Sequence, residues 1–215
     1  KDIPPGPAAL VSCGVTTGYG SAVYRAEVTA GDTVVVVGCG GLGTAAIQGA
    51  KIAGAKNVVA IDPSEFKRES AMEFGATHSA ASVDEAMEMV GAITEGVMAD
   101  STILTPGTLT GDFIAPAQFI TRKGGTIVAT AVAPIEQMDV TMNLFMFSMM
   151  NQELKGCLFG SSAPRKEIPH LLSMYQAGQL KLDEMITTTY TLDQVNEGFQ
   201  DMLDNKNIRG VITFD

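Results

Sequence analysis

A glycine-rich turn is the part of this sequence whose residue types and spacing are best suited to chemistry. Residues 33–37 (TVVVV) are typical of a buried strand, and they lead directly into residues 38–43 (GCGGLG) and then an alanine-rich helical stretch. In that context Gly38 permits a tight turn, Gly40 lets a pyrophosphate approach the backbone, and Gly43 lets helix and strand pack closely. The helix N-terminus then offers N–H groups and the positive end of its dipole to phosphates.

An acidic residue follows at the distance that this chemistry requires. A second apolar run, residues 57–61, ends on Asp62, about 20 positions beyond the glycines. Its carboxylate is suited to accept hydrogen bonds from the adenosine ribose and would repel a 2′-phosphate, which favours NAD over NADP. Two other interpretations stay open: a glycine-rich turn in an ordinary βαβ unit, and a methyltransferase site. Gly43 argues against the second, because it serves close packing beneath a pyrophosphate.

Alternating elements must bring the glycine turn and Asp62 together. Apolar runs alternate with helical spacings, which predicts an α/β fold: a doubly wound parallel sheet of the Rossmann type, plus a partial second domain. Ligands of such sheets bind at the carboxyl ends of the strands, so we expect residues 38–43, Asp62, Thr105 and 129–131 on one rim. The predicted strands are 33–38, 57–62, 77–79, 100–104, 126–132, 154–159 and 211–214, and the predicted helices are 16–26, 43–54, 66–74, 83–94, 113–119, 168–177 and 192–203.

The pattern also predicts a division of the chain. Residues 1–30 are interpreted as a linker and entry helix, residues 31–160 as the dinucleotide-binding domain, and residues 161–215 as the C-terminal part of a second, catalytic domain. The sequence opens with KDIPPGPAAL and has no initiator Met, so we interpret it as a piece of a longer protein.

Composition argues against several functional classes. The chain has 215 residues, of which 46% are hydrophobic, so it can fill a sizeable core and is not expected to be disordered. A net charge of −10 without any Lys/Arg block disfavours nucleic-acid binding. No apolar stretch reaches about 18 residues, so no transmembrane helix is expected. Three widely spaced cysteines form no disulfide framework and fit a cytoplasmic location.

Two further residues stand in distinctive segments without a role that their own chemistry assigns. Cys13 lies in SCGVTTGYG, and a single cysteine is usually a small buried hydrophobe. Arg209 lies in NIRG before a short apolar run, where the ordinary interpretation is a solvated surface charge.

Six segments together resemble the zinc-dependent medium-chain alcohol dehydrogenases. They are CGVTTGYGSAV (13–23), GDTVVVVGCGGLG (31–43), EFGATH (73–78), LKGCLFG (154–160), NEGFQDML (196–203) and NIRGVITF (207–214). DPSEFKRESAMEFGATHSAAS and GQLKLDEMIT are closer still to the actinobacterial alcohol dehydrogenases that use nitroso-dimethylaniline as an artificial acceptor, in which the nicotinamide cofactor is held tightly. The resemblance implies NAD and zinc as cofactors and a small-molecule alcohol or aldehyde as substrate. It also implies a homodimer or higher homo-oligomer whose interface lies near Met142, Met146, Met149 and Met150 and the following strand.

The resemblance also implies roles for individual residues. Cys13 corresponds to a ligand of the catalytic zinc, Thr17 to a residue beside the nicotinamide, and Arg209 to an arginine on the pyrophosphate, where a guanidinium suits the geometry. Asp62 corresponds to the ribose acid and Lys67 to a cation near the adenosine, although a solvated helix face remains the alternative for Lys67. The other positions that match cofactor contacts are Gly38, Cys39, Gly40, Gly41, Leu42 and Gly43 at the pyrophosphate turn, and Thr105, Ala129, Thr130, Ala131, Cys157, Leu158 and Phe159 in the nicotinamide half. At Cys39 the family usually has an apolar residue, and we interpret its side chain as packing.

The zinc site implied by the resemblance is incomplete in this sequence. A catalytic zinc needs three protein ligands and an open position, yet Cys13 is accompanied by no GHE-type motif, and His78 and His170 stand in no ligand pattern. In the family the other ligands belong to an N-terminal catalytic domain that is absent here. We therefore expect an NAD-dependent zinc alcohol dehydrogenase as the parent protein and an inactive fragment. The alternatives are a zinc-free, quinone-reductase-like NAD(P)-dependent oxidoreductase and a non-catalytic nucleotide-sensing Rossmann module.

Overall fold

A six-stranded parallel sheet organises the molecule. The computed structural model describes residues 2–214. Neighbouring strands are parallel throughout, in the order β3-β2-β1-β4-β5-β6, which is the Rossmann order. The doubly wound α/β fold expected from the sequence is thus confirmed. The strands are β1 (Thr33–Val37), β2 (Asn57–Ile61), β3 (His78–Ala80), β4 (Ala99–Leu104), β5 (Thr121–Ala129) and β6 (Glu153–Gly156).

Helices cover both faces of this sheet. The α-helices of the described residues are α1 (Pro5–Leu10), α2 (Gly14–Gly20), α3 (Gly41–Ile52), α4 (Glu65–Glu73), α5 (Val83–Ile93), α6 (Ile114–Ile120), α7 (Leu144–Met149), α8 (Pro164–Gln176) and α9 (Val195–Leu203). Between residues 2 and 214, none of them combines the length and the apolar character that a membrane crossing requires.

The central strand β1 separates two hydrophobic cores. All five of its residues are buried, and successive side chains of a strand point to opposite faces of the sheet. Val34 and Val36 join the core formed with α3 and α8, whereas Val35 and Val37 join the core formed with α5 and α6. The sequence therefore shows a continuous apolar run instead of an alternating one, because each face of the strand has its own buried partner.

Helix α2 lies directly on the first turns of α3. A Cβ built on Gly18 would lie 2.1 Å from the carbonyl oxygen of Leu42 and 2.7 Å from the Cβ of Ala45. A side chain at residue 18 would therefore separate the two helices. This close approach fixes the amino end of α2, where Cys13 stands, beside the glycine turn.

Strand β5 departs from its predicted bounds at both ends. It begins at Thr121, before the predicted residue 126, because Thr121 pairs with Ala99 of β4. The register then shifts at a bulge, so that the next pair is Thr126 with Ser101. The polar RKGG segment reads as a turn in the sequence but stays in the sheet. The strand ends at Ala129, because the N–H groups of Thr130 and Ala131 both turn to the carbonyl of Leu104.

Strand β6 ends earlier than the predicted residue 159. Phe159 and Gly160 have φ values of +51° and +67° and form a tight turn at Phe159–Ser161. Gly160 is required there, because a Cβ would lie 2.3 Å from the carbonyl oxygen of Thr16. The LKGCLFG segment therefore combines a short strand with a left-handed turn that packs on α2.

The C-terminal part contains a second sheet that the sequence did not predict in full. Strands β7 (Ile186–Tyr190) and β8 (Arg209–Ile212) pair in parallel. The sequence patterns predict no strand at β7 and place the final strand at 211–214, because the threonine-rich β7 is half-buried on one side only and lacks an apolar run. Leu171 of α8 packs in the same core as Val34 of β1. The predicted domain boundary between residues 160 and 161 stays a prediction.

Candidate dinucleotide site

The glycine turn connects β1 to α3 at the switch point of the sheet. Gly38 has φ +94°, and a Cβ there would lie 2.5 Å from the carbonyl oxygen of Thr105. A Cβ on Gly43 would lie 1.8 Å from the carbonyl oxygen of Gly38. The first glycine thus supplies the left-handed turn and the third the close helix–strand contact, as the sequence predicts.

The middle of the turn faces open space. A Cβ built on Gly40 would meet no atom within 4 Å. The first hydrogen bond of α3 joins the Thr44 N–H to the Gly40 carbonyl at 2.8 Å, so the preceding N–H groups of residues 41–43 have no carbonyl partner inside the helix. The turn therefore presents backbone donors, the positive end of a helix dipole and room for an anionic group.

Asp62 is held rigidly beside this turn. Its Oδ2 accepts a hydrogen bond from the Cys39 N–H at 2.8 Å, and its Oδ1 accepts one from the Ser64 N–H at 2.9 Å. The residue is only 6% exposed. Each carboxylate oxygen can accept more than one hydrogen bond, so the two backbone contacts fix the carboxylate and leave acceptor capacity for hydroxyl groups.

Two cations, Lys67 and Arg68, lie on the helix that follows Asp62, and the sequence predicts a cofactor role for the first only. Lys67, on α4, places its Nζ 2.5 Å from the Asn205 Oδ1. Arg68 was missed: its Nη1 donates to the carbonyls of Asp62 at 2.8 Å and Pro63 at 2.9 Å. A signal for it exists in the sequence, an arginine in the helix that starts directly after the acid. Arg68 stabilises the backbone that carries the carboxylate.

Cys39 contributes packing through its side chain, as expected. The residue is completely buried, and its Sγ lies 3.6 Å from the carbonyl oxygen of Ile61. Burial, with a smaller effect of the Asp62 carboxylate, raises the pKa of the thiol to about 12. Its N–H is the donor that anchors Asp62.

The residues predicted for the nicotinamide half meet at the carboxyl ends of β4, β5 and β6. The Thr105 hydroxyl has two carbonyl acceptors within hydrogen-bond distance of its Oγ1, that of Val37 at 3.0 Å and that of Gly38 at 2.7 Å. The Cys157 N–H donates to the carbonyl of Ala129 at 3.0 Å. Next to them, the Thr130 hydroxyl is buried and has no hydrogen-bond partner among residues 2–214. Leu158 and Phe159 follow Cys157, with Leu158 exposed and Phe159 half-buried.

Arg209 reaches the glycine turn from the other end of the chain. A Cβ on Gly41 would lie 1.8 Å from the Arg209 Nε, and a Cβ on Gly14 would lie 2.1 Å from its Nη2. Burial lowers the pKa of this guanidinium, against a smaller opposing effect of Cys13. The ordinary interpretation of a solvated charge is wrong, because the side chain lies at the first turn of α3.

Cys13 and Thr17 lie on the adjoining α2 segment. Cys13 is exposed at the amino end of the helix, and its carbonyl accepts a hydrogen bond from the Thr17 N–H at 2.9 Å. Thr17 is buried. Within residues 2–214, no group of three His, Cys, Asp or Glu residues is arranged to hold a metal ion. His78 begins β3 and His170 is exposed on α8, so neither completes a site with Cys13.

The comparison with protein families decides the relationship. Residues 41–177, more than half of the chain, match the family described as zinc-binding dehydrogenase. The chain belongs to the zinc-binding dehydrogenase family. The resemblance found in the sequence is thus confirmed.

Relatives within the zinc-binding dehydrogenases carry alcohol dehydrogenase names. The chain is 50% identical over 207 residues to alcohol dehydrogenase B of Mycobacterium tuberculosis (strain CDC 1551 / Oshkosh), covering 96% of this chain and 55% of the relative. It is 50% identical over 205 residues to the NDMA-dependent alcohol dehydrogenase of Amycolatopsis methanolica, covering 95% and 55%. The chain thus spans about half the length of the curated relatives it matches.

Solved structures support the fold. Benzyl alcohol dehydrogenase from Acinetobacter calcoaceticus superposes with a TM-score of 0.92 at 24% identity, over 100% of this chain and 58% of that one. An alcohol dehydrogenase zinc-binding domain protein from Burkholderia ambifaria superposes with a TM-score of 0.92 at 23% identity, over 100% of this chain and 57% of that one. At such identities the likeness establishes the fold alone.

The residues described fit the two cofactors of a zinc-binding dehydrogenase unequally. For a dinucleotide, the turn offers the open space at Gly40, backbone donors, an anchored carboxylate at Asp62 and a partly buried guanidinium at Arg209. For a catalytic zinc, Cys13 is one donor where three are needed. The described residues therefore offer the features that a dinucleotide requires, whereas residues 2–214 do not offer the three donors that a catalytic zinc requires.

Proposed function

We propose that this chain is the coenzyme-binding part of an NAD-dependent, zinc-dependent alcohol dehydrogenase. The observation that carries the proposal is the anchored Asp62 carboxylate beside the open glycine turn. Names of relatives at 50% identity favour an alcohol dehydrogenase over a quinone-reductase-like enzyme or a nucleotide sensor. Because the chain spans about half of each relative, the activity is proposed for the parent protein.

The proposed role of these residues is to bind and orient the cofactor. The amides of residues 41–43 and the guanidinium of Arg209 hold the diphosphate, while the Asp62 carboxylate accepts hydrogen bonds from the ribose hydroxyls. Thr105 ties β4 to the turn through its hydroxyl. When bound, the nicotinamide supplies the hydride acceptor, and the protein contributes position and electrostatics.

The zinc part of the proposal concerns one residue. Cys13 is exposed at a helix end, which suits a thiolate ligand. Since no set of three donors exists among residues 2–214, no zinc-dependent step follows for this chain by itself. The expected consequence is that these 215 residues alone do not oxidise alcohols.

The substrate and assembly are likewise proposed for the parent protein. A small-molecule alcohol or aldehyde is the expected substrate class, in keeping with the names of the relatives. A homo-oligomer is proposed because β6 ends the sheet with an open edge and exposed apolar side chains. The cytoplasmic location stays a prediction from cysteine usage.

Replacing Asp62 tests the proposed site. We expect Asp62→Ala to weaken NAD binding by tenfold or more, about 1.4 kcal/mol, because a hydrogen-bonding carboxylate is lost. Discrimination against NADP should fall, since the charge that repels its 2′-phosphate is gone. Isothermal titration calorimetry with both nucleotides measures the two effects.

Asp32→Ala is the matched control. Asp32 also accepts a backbone hydrogen bond, from the Thr29 N–H at 2.7 Å, but it precedes β1 at the opposite end of the sheet. This variant should keep the NAD affinity of the unmodified chain. Unchanged affinity of Asp62→Ala for both nucleotides would contradict the proposed ribose contact.

A further inference from the structure

We propose that Gly14 is a positioning residue for the dinucleotide: together with Gly41 it forms a seat for the Arg209 guanidinium, which aims that cation at the diphosphate. The inference rests on the proposed function and deepens it. Gly14 itself need not touch the cofactor.

The seat is defined by two backbone positions from distant segments. A Cβ on Gly14 would lie 2.1 Å from the Arg209 Nη2 and 3.1 Å from its Cζ. A Cβ on Gly41 would lie 1.8 Å from Nε and 2.3 Å from Cζ. Both contacts are far below ordinary van der Waals distance, so the guanidinium occupies the space that side chains at these two positions would need.

The backbone of Arg209 is fixed, so only its side chain can adjust. Arg209 pairs with Ile186 in the β7–β8 sheet. The preceding Ile208 N–H donates to the Thr187 Oγ1 at 3.0 Å, and the Asn207 Nδ2 donates to the Tyr190 hydroxyl at 3.2 Å. The position of the guanidinium therefore depends on the space that the two glycines leave.

The seated cation has no anionic partner of its own. Within residues 2–214 its guanidinium makes no hydrogen bond or ion pair, although burial disfavours its charge. It lies at the first residue of α3, where the helix dipole is positive and a cation is repelled. A negatively charged group bound at the turn would offset both the lost solvation of the guanidinium and its repulsion by the helix dipole. This accounts for a positive charge placed against a helix N-terminus.

Helix geometry does not by itself require glycine at residue 14. Gly14 is absent from the positions with positive φ, and alanine favours a helix over glycine. The clash of an added methyl group would be with the mobile end of the Arg209 side chain. Gly14→Ala should therefore fold while moving the guanidinium off its seat.

Calorimetry of the 215-residue chain tests the seat directly. We expect Gly14→Ala to raise the Kd for NAD by tenfold or more, with a melting temperature equal to or above that of the unmodified chain. Gly91→Ala is the matched control in α5, because its added Cβ would meet only the Met98 Sδ at an ordinary 3.9 Å. It should leave the Kd unchanged.

A double-mutant cycle separates positioning from a general effect on α2. In the Arg209→Ala background the methyl group at residue 14 has room, so adding Gly14→Ala should change the Kd no further. The same tenfold loss in that background, or an unchanged Kd for Gly14→Ala alone, would overturn the seat. Absence of NAD binding by the unmodified chain would overturn the proposed function and this inference with it.

Discussion

At the scale of single residues, Cys39 shows how one side chain and its own backbone serve different purposes. Its thiol is completely buried in the core beneath the turn, while its N–H holds the Asp62 carboxylate. Burial raises the pKa of that thiol to about 12, and the thiolate is the reactive form of cysteine. The Cys39 thiol is therefore expected to be unreactive, although it lies within the glycine turn.

Thiol titration checks this difference among the cysteines. In the folded chain at pH 8, we expect a disulfide reagent to modify Cys13, which is exposed, and Cys157, which is partly exposed, but not Cys39. All three should react in denaturant. Cys39→Ala should leave the number of reactive thiols in the folded chain unchanged, and rapid reaction of a third thiol would contradict the burial argument.

The same thiol predicts a loss of stability in alkali. Since the folded pKa is raised, the protonated thiol contributes stability that is complete below its ordinary pKa of 9.0 and declines as the pH rises toward about 12. Urea denaturation at several pH values should show a smaller alkaline decline in Cys39→Ala than in the unmodified chain. Equal declines in both proteins would contradict the assignment.

Residue types and spacing predicted the turn and its acid but could not locate Arg209. The glycines and Asp62 follow consecutive strands, so a parallel sheet brings them together by its own geometry. Arg209 reaches Gly41 and Gly14 only through the pairing of β8 with β7. Local chemistry gave no signal for this contact; the family resemblance supplied it.

At the scale of elements, the β1–α3 connection assigns distinct tasks to its glycines. Gly43 lies against backbone, since its Cβ would lie 1.8 Å from the Gly38 carbonyl oxygen. Gly40 lies against open space and has φ −70°, a conformation that alanine adopts without strain. Gly43 is therefore required by the packing of α3 on β1, whereas we attribute the glycine at residue 40 to the proposed dinucleotide.

A pair of alanine substitutions separates the two requirements. Gly43→Ala should lower the free energy of unfolding by about 1–3 kcal/mol, the usual range for overpacking, because backbone cannot move aside as a side chain can. Gly40→Ala should leave that free energy nearly unchanged yet weaken NAD binding. Urea denaturation and calorimetry on both variants measure the effects, and a stable Gly43→Ala variant with normal binding would contradict the assignment.

Element bounds were predictable where the apolar pattern was continuous. Strands β1 and β2 lie within one residue of their predicted ranges, because buried parallel strands produce uninterrupted apolar runs. β7 escaped prediction since it belongs to a two-stranded sheet with one exposed side. Its pairing depends on β8, which no local pattern reveals.

At the scale of the whole molecule, the β6 edge of the six-stranded sheet is flanked by exposed apolar side chains. We define the β6 edge surface as α7, β6 and Leu158. Phe145 and Leu158 are 71% and 87% exposed there. An unpaired edge strand with apolar neighbours favours pairing with another chain.

Sedimentation of the chain tests the proposed assembly. We expect concentration-dependent dimers that Leu158→Glu weakens by tenfold or more in Kd, because a charge would be buried at the contact. Leu203→Glu is the control on α9, at a residue that is 70% exposed outside the β6 edge surface. A monomer at all concentrations, or equal effects of both variants, would contradict pairing through this edge.

The contact between Arg209 and the glycine turn also has a temporal consequence. During synthesis on the ribosome, β1, the glycine turn and α3 emerge long before β8. The nascent chain therefore has the backbone donors of the turn before it has the Arg209 guanidinium. If the turn holds a diphosphate as proposed, we expect strong nucleotide binding only after the β7–β8 pair has docked and brought Arg209 to the turn. Truncations that remove β8 should therefore weaken nucleotide binding while sparing the six-stranded sheet.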